Sequence, residues 1–409
     1  MNPLNKIYQI TLRPLSRFFF GGEIVFGGDG AQDERNRSYL VHSRVLPQQT
    51  SLLGMLREEL LRQNDRLLDK NSDPGKIQDA KDLVGRSGFG LHFFPDDPNE
   101  QTTDTGFGMI QALSPLCLVD DKETQFQPAP ADDVEGKDGK TADYDQESTR
   151  IFLRNFDAKS GLASDFSTAT GVSKALDKFF SQEAQVGITV TNRHLWRVGE
   201  PDNEAFYRQT FFKNANSKVF PYEVYQENKF PERNNYAFRF WVEMTDPPPD
   251  FQSLKDSVVQ MGGERSTFKM EVKVETTGTV NSFDDKFHDI IYNHPKSLPS
   301  GYHRCLLISD TYLPRETLTG LKAVVIGETI PFRFFSTIIG KTENYFDLKR
   351  GDMTKRRQSG QFSLLRRGTV IYVPDSHASY DDPLDQLTSE IKNQSAFRNI
   401  GYNYFKTQK

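Results

Sequence analysis

The sequence predicts an α+β fold: two ferredoxin-like (RRM-like, βαββαβ) domains, the first expanded by a long polar insertion. Large apolar residues recur at every second position over 8–12, 236–244 and 268–274, the period of half-buried strands. Leucines at helical spacing follow the first of these strands. The last hundred residues run strand, helix, strand, strand, helix, strand. A chain of 409 residues suits two or three domains.

Tyr8, Ile10 and Leu12 alternate with Gln9, Thr11 and Arg13, which places the first strand over 6–13. A helix begins near Thr50 or Ser51 and runs to about 66, with Leu52, Leu53, Leu56 and Leu60 as its apolar stripe. Strands are expected over 91–94 and 109–119. Residues 120–180 are rich in Asp, Gly and Ser and read as the insertion. Tyr236, Phe238, Phe240, Val242 and Met244 mark the next strand. DPPPD (246–250) stops it, and Phe251, Leu254, Val258 and Met261 show helical spacing, with Gly262-Gly263 closing that helix. Phe268, Met270, Val272 and Val274 return to strand. The first domain is therefore placed at 1–280, and 277–300 reads as a linker.

The second domain, 295–409, repeats the order. Residues 303–308 form a strand. Pro314 opens a short helix with Leu318, Leu321 and Val325 on one face. Residues 332–339 and 369–373 are strands joined by a basic loop. Asp382 and Pro383 suit N-cap and first-turn positions of a helix that turns Leu384, Leu387 and Ile391 inward. A last strand is expected over 399–405.

The net charge of −5 conceals two parts. Residues 94–149 hold 14 acids and 3 bases, leaving 48 Lys+Arg against 42 Asp+Glu elsewhere. A mildly basic body with an acidic insert fits a nucleic-acid binder that must avoid other polyanions, and equally an ordinary protein with an acidic loop. No apolar run is long enough to span a bilayer, and the start reads as strand rather than leader, so no membrane association and a cytoplasmic location are expected. Cys117 and Cys305 are the only cysteines, too few and too far apart for a disulfide framework or thiolate zinc site. The seven histidines form no zinc motif. The Gly340-Lys341-Thr342 triplet lacks the first glycine of a phosphate loop, since Phe335 occupies it. No cofactor, metal or catalytic residue is assigned. A metal-independent ribonuclease needs no spacing rule, and Tyr39 and His42, among Arg35, Arg37 and Arg44, are its candidates.

Four constellations suit RNA. Residues 349–367 hold seven Lys+Arg, among them Lys355, Arg356, Arg357 and Arg366, against the single acid Asp352, as a backbone-tracking loop would. PQQTSLLGMLR (47–57) sets Gln49, Thr50 and Ser51 at a helix start, where free amides suit phosphate, with Gly54 and Arg57 on the same side. Gly54 is costly inside a helix and suggests close approach by another backbone. MGGERS (261–266) offers Gly262, Gly263 and Arg265. VGITVTNRHLWR through FYRQTFFK interleaves Arg193, Trp196, Arg197, Arg208 and Lys213 with aromatics, a pattern for base stacking with phosphate contacts. Each has a plain structural alternative: solvated loop, packed helix, ordinary turn, hairpin with a buried aromatic side.

Taken in order, the N-terminal strand, PQQTSLLGMLR, VGITVTNR, FYRQTFFK, MGGERS, LLRRGTVIYVP and NIGYNYF resemble the third-subunit family of the Cmr complexes of type III-B CRISPR systems, in the Cas-five-like group of the RAMP superfamily. The resemblance spans residue 1 to about 405 outside the acidic insert and rests on order and spacing rather than on any one motif. It implies two ferredoxin-like folds and a non-catalytic RNA-binding subunit of an antiviral ribonucleoprotein. Such a subunit holds the repeat-derived 5′ handle of crRNA and bridges the large polymerase-type Cmr subunit to the backbone Cmr subunits. It maps the Gly-rich loop onto Gly262-Gly263 and the helix Gly and Arg onto Gly54 and Arg57. The sequence departs from the pattern in its short MGGERS loop, its glycine-poor end and Lys213 where Arg is usual. A RAMP endoribonuclease processing precursor crRNA and a purely structural bridging subunit are the alternatives.

Overall fold

The computed structural model describes residues 5–21, 24–27, 38–67, 73–85, 107–132, 143–147, 150–154, 166–168, 173–174, 176–188, 206–214, 235–245, 251, 257–262, 265–275, 298, 301–332, 335–336, 357–358, 362–375 and 382–409. The strand expected over 91–94 and nearly all of the expected linker lie outside them.

The strands of the first part are β1 (Asn5–Pro14), β2 (Ile24–Gly27), β3 (Ser38–His42), β4 (Ile110–Leu113), β5 (Cys117–Val119), β6 (Gln125–Pro128), β7 (Asp143–Glu147), β8 (Arg150–Arg154), β9 (Phe166–Thr168), β10 (Ser173–Lys174), β11 (Phe180–Ile188), β12 (Phe206–Asn214), β13 (Ala237–Thr245), β14 (Ser257–Met261) and β15 (Ser266–Val274). Helices α1 (Gln49–Gln63) and α2 (Pro74–Val84) fall between β3 and β4. The second part holds β16 (Tyr302–Leu307), α3 (Arg315–Gly320), β17 (Val324–Ile326), β18 (Thr329–Phe332), β19 (Phe335–Ser336), β20 (Arg357–Gln358), β21 (Phe362–Leu365), β22 (Val370–Pro374), α4 (Pro383–Asn393), α5 (Ser395–Arg398) and β23 (Phe405–Gln408).

The main sheet has the order β10-β9-β6-β5-β13-β1-β15-β14, with β4 also paired to β13. The second sheet has the order β17-β22-β16-β23, every neighbouring pair antiparallel. A third sheet, β11-β12-β3-β2, joins β12 to β3 in parallel.

Period-two alternation explains how the layers stack, because β13 and β22 bury both faces. Phe238, Phe240 and Val242 join Tyr8, Ile10, Leu12, Phe268 and Met270 against Leu52, Leu53, Leu56 and Leu60 of α1. The opposite face, Ala237 and Trp241 with Cys117 and Val119, packs on Leu306, Ile308, Val370, Tyr372 and Tyr404 of the second part. The far face of the second sheet, Cys305, Leu307, Ile371 and Val373, covers Leu384, Leu387 and Ile391 of α4. Asp382 caps α4 through the amide of Asp385 at 3.0 Å, with Pro383 at the first turn, as the sequence predicts.

Several elements differ from the sequence expectation. The helix expected after Phe251 is, over 257–261, strand β14: Val259 and Met261 point inward while Val258 and Gln260 point out. Adjacent β-branched Val258 and Val259 favour strand, and Gly262 turns a hairpin instead of ending a helix. The strand expected over 109–119 is two, β4 and β5, since Pro115 has no ladder donor and the Ser114 amide donates to the Trp241 carbonyl at 2.9 Å. Val325 belongs to β17, and Phe332 ends β18. Residues 395–398 are helical, so the last strand starts only at Phe405.

The insertion is partly built into the fold. β6, β9 and β10 extend the main sheet, and the loop after β6 crosses to the second part. The Ala131 amide donates to the Gly368 carbonyl at 2.7 Å. Asp132, fully buried, accepts Nε and Nη2 of Arg304 at 2.8 Å each and the Tyr372 hydroxyl at 2.7 Å.

Candidate nucleic-acid interface

β1 pairs Pro14 with Phe268, which brings the β14–β15 turn to the edge where α1 begins. Three loops meet there. The Phe19 amide donates to Ser266 Oγ at 2.9 Å, the Phe20 amide to Ser43 Oγ at 3.0 Å, and the Arg44 amide to the Gly21 carbonyl at 3.0 Å. Gly262 has φ +88°, and a Cβ there would sit 2.3 Å from the Phe19 carbonyl oxygen, so only glycine fits. Arg265, at φ +50°, stands exposed at the turn.

The second part closes on the start of α1 from the other side. Gly401 has φ +90°, and a Cβ there would meet the Ser114 carbonyl oxygen at 2.5 Å and Cδ and Nε2 of Gln49 at 2.9 Å. Gln49 is fully buried, and neither amide atom has a hydrogen-bond partner among the described residues. The N-cap residue Gln48 makes no side-chain hydrogen bond to α1, and the buried Tyr402 hydroxyl, beside Thr50, has no hydrogen-bond partner among the described residues. Burial pushes the Tyr402 phenol upward, and the nearby Asp310 carboxylate pushes it further.

Asp310 itself is buried, which alone would raise its pKa. Arg367 outweighs that by attraction and by hydrogen bonds from its backbone amide at 2.9 Å and guanidinium at 3.3 and 3.4 Å, holding the carboxyl below its usual range. The charge of Arg44 adds to this. Arg367 and Asp310 thus form a buried ion pair beside the start of α1, with the charge of Arg44 added to it.

The structure sorts the residues the sequence singles out. Thr50 and Ser51 are partly exposed on the first turn of α1. Gln49 faces inward. Gly54 has nothing within 4 Å of a Cβ position, so the expected close backbone approach is absent among the described residues. Arg57 is buried and donates to the Gly85 carbonyl at 3.3 Å, tying α1 to the end of α2. Gly262 and Arg265 form the turn just described. Arg366 is exposed and pairs with Glu328 at 2.5 Å. Lys213 is exposed and pairs with Glu183 at 2.8 Å. Arg208 and Arg357 lie on β12 and β20, described by backbone only. Arg193, Trp196, Arg197, Gly263, Lys355 and Arg356 lie outside the described residues, as do the side chains of Tyr39 and His42.

Sequence reasoning overlooked Tyr402, Asp310, Arg17 and Glu183. NIGYNYF carried the signal for Tyr402. Nothing in the chain links Asp310 to Arg367 before the strands are paired.

No family model matches the chain, and no curated protein matches it. Solved structures do. The chain is similar to a chain of the cryo-EM structure of the Type III-B Cmr-beta bound to cognate target RNA and AMPPnP, state 1, at 12% identity and TM-score 0.44, covering 97% of this chain and 95% of that one. A second likeness is to the Type III-B Cmr-beta bound to cognate target RNA, at 12% identity and TM-score 0.45, covering 97% and 96%. Among the described residues no group of three or more His, Cys, Asp and Glu is placed to hold a metal, and no helix is long and apolar enough to cross a membrane.

Proposed function

We propose that this chain is a non-catalytic RNA-binding subunit of a type III-B CRISPR effector. In this reading two ferredoxin-like units hold the 5′ repeat-derived handle of crRNA and bridge the large polymerase-type subunit to the backbone subunits. One observation supports the reading: the same order of four core strands occurs twice. In the first unit the core strands stand as β15-β1-β13-β5, in the second as β23-β16-β22-β17. Each first strand sits between the third and fourth, the order that a βαββαβ chain takes. Before each fourth strand lies a glycine at positive φ pressed onto a carbonyl, Gly262 on Phe19 and Gly401 on Ser114. The Gly262 turn is part-exposed and leads to exposed Arg265, whereas Gly401 is buried and its amide donates to the Arg398 carbonyl at 3.0 Å, so only the first of these turns is open to a sugar–phosphate backbone.

Arg265 at the Gly262 turn and Arg366 beside Glu328 supply exposed positive charge. Arg57 serves instead as an internal tie, and its removal reads on stability before it reads on RNA. The test is binding of repeat-derived RNA by the purified chain over a salt series. Arg265→Glu with Arg366→Glu weakens binding at least ~tenfold and flattens the salt dependence, as loss of phosphate contacts requires. Unchanged affinity in a folded double variant overturns the site.

A further inference from the structure

We propose that Arg17 and Lys213 form a phosphodiester-binding fork for single-stranded RNA, in which the Glu183 carboxylate occupies the place of the phosphate until RNA displaces it. This deepens the RNA-binding reading above and rests on it. Lys213 is in the hairpin that the sequence marks as an RNA element, and Arg17 and Glu183 complete a site that no sequence pattern shows.

The geometry is that of a two-point anion contact. Nη1 of Arg17 lies 3.2 Å from Oε1 of Glu183, and Nζ of Lys213 lies 2.8 Å from Oε2. Each carboxylate oxygen takes one cation, the arrangement two non-bridging phosphate oxygens would take. The backbone fixes the three groups from separate directions. Phe18 exchanges backbone hydrogen bonds with Phe212 at 2.7 and 3.0 Å, which pins Arg17 to β12. Glu183 stands opposite Phe211 in the β11–β12 ladder, and Lys213 opposite Ser181.

Arg17 is also held in advance. Its guanidinium lies 4.6 Å from the ring centroid of Phe211, whose ring is buried, so little side-chain freedom remains to be lost on binding. All three charged side chains are about two-fifths exposed, so RNA can reach them. Exposed ion pairs contribute little to stability, and giving one up for a phosphate costs correspondingly little. Two cations against one carboxylate leave a positive charge that Glu183 does not cancel. The attraction of Lys213 first, and of Arg17, keeps Glu183 below the usual carboxylate range, so it competes in its charged form.

The test is fluorescence anisotropy of a labelled uridine oligoribonucleotide with the full chain and its variants. Glu183→Gln removes the competitor while keeping the shape, and binding tightens about two- to fivefold, the equivalent of one exposed ion pair. Lys213→Met weakens binding, and Lys213→Arg restores it. Arg17→Met with Lys213→Met lowers the log–log salt slope by about 0.7, the value of one neutralised phosphate on a single strand. Far-UV circular dichroism reports whether each variant is folded. If the parent chain binds RNA while Glu183→Gln and Lys213→Met both leave affinity and slope unchanged, the fork is overturned and the RNA-binding reading stands. If the parent chain binds no RNA at any salt, the reading itself falls.

Discussion

Arg304→Ala gives the most demanding test of how the insertion is joined to the second sheet. Asp132 has no exposed surface and accepts hydrogen bonds of 2.7 to 2.8 Å from Arg304 and Tyr372. Removing the guanidinium takes away the cation that faces a buried carboxylate, a loss of about 3–5 kcal/mol. Tyr372→Phe removes one hydrogen bond to a charged acceptor and costs about 1.5–3 kcal/mol. The two effects are not additive, since both act on one carboxylate. Asp132→Asn keeps the shape but removes the anion that faces Arg304, so it is expected to be as damaging as Arg304→Ala. Urea unfolding measures the loss, followed together by far-UV circular dichroism and tryptophan fluorescence because the two packed sheets need not unfold in one step. Trp241 lies in the layer between the sheets and reports their separation. An Arg304→Ala variant destabilised by less than about 1 kcal/mol, with coincident transitions, would refute the view that this network fastens the insertion to the second sheet.

Single sites give further tests. Gln49→Met replaces two unpartnered buried polar atoms with an apolar chain of similar length and is expected to raise stability by about 1 kcal/mol; a loss in urea unfolding would mean the amide has a partner. Gly262→Ala and Gly401→Ala each force a Cβ against a carbonyl at positive φ, and each lowers stability by at least ~1–2 kcal/mol in the same assay, whereas Gly54→Ala in open space raises it by up to about 1 kcal/mol. Burial raises the Cys117 and Cys305 thiols to about 12. Their contribution to stability is therefore intact below the unfolded thiol value near 9, and is lost as pH rises from there toward 12. Thiol titration with an aromatic disulfide reagent at about pH 8 is expected to find neither group reactive until the chain unfolds. Asp310 behaves oppositely: its depressed pKa stabilises the fold above the ordinary aspartate range, and that stability is lost as acid protonates it, more steeply in the parent than in Asp310→Asn.

Much of the fold is legible in the sequence where burial is one-sided or periodic. Tyr8-Ile10-Leu12, the leucines of α1 and Asp382-Pro383 announce their elements through local chemistry alone. A helix is the wrong expectation at 257–261 because Val258 and Met261 satisfy helical spacing while Val259 and Met261 satisfy alternation, and pairing with β15 decides between them. The polar insertion conceals β6 and Asp132 because its composition describes the average of the segment, not the few residues that cross to Arg304. Site residues follow the same division. Arg265 and Arg366 are readable as cations in turns. Arg57 reads as a surface anchor because its position on the helix gives no sign of Gly85 closing over it. Tyr402 lies beside Thr50, a relation across most of the chain that no local pattern encodes.

The proposed capture of a crRNA 5′ end is tested on the RNA that co-purifies with the protein. The tagged chain is co-expressed with its genomic neighbours and a CRISPR array, and the co-purified RNA is sequenced. Handle capture requires a uniform 5′ end carrying repeat sequence in the parent complex, and ragged or missing 5′ ends when Arg265 and Arg366 are reversed to Glu. An assembled complex whose RNA ends are the same with and without those reversals would show that these residues hold no handle.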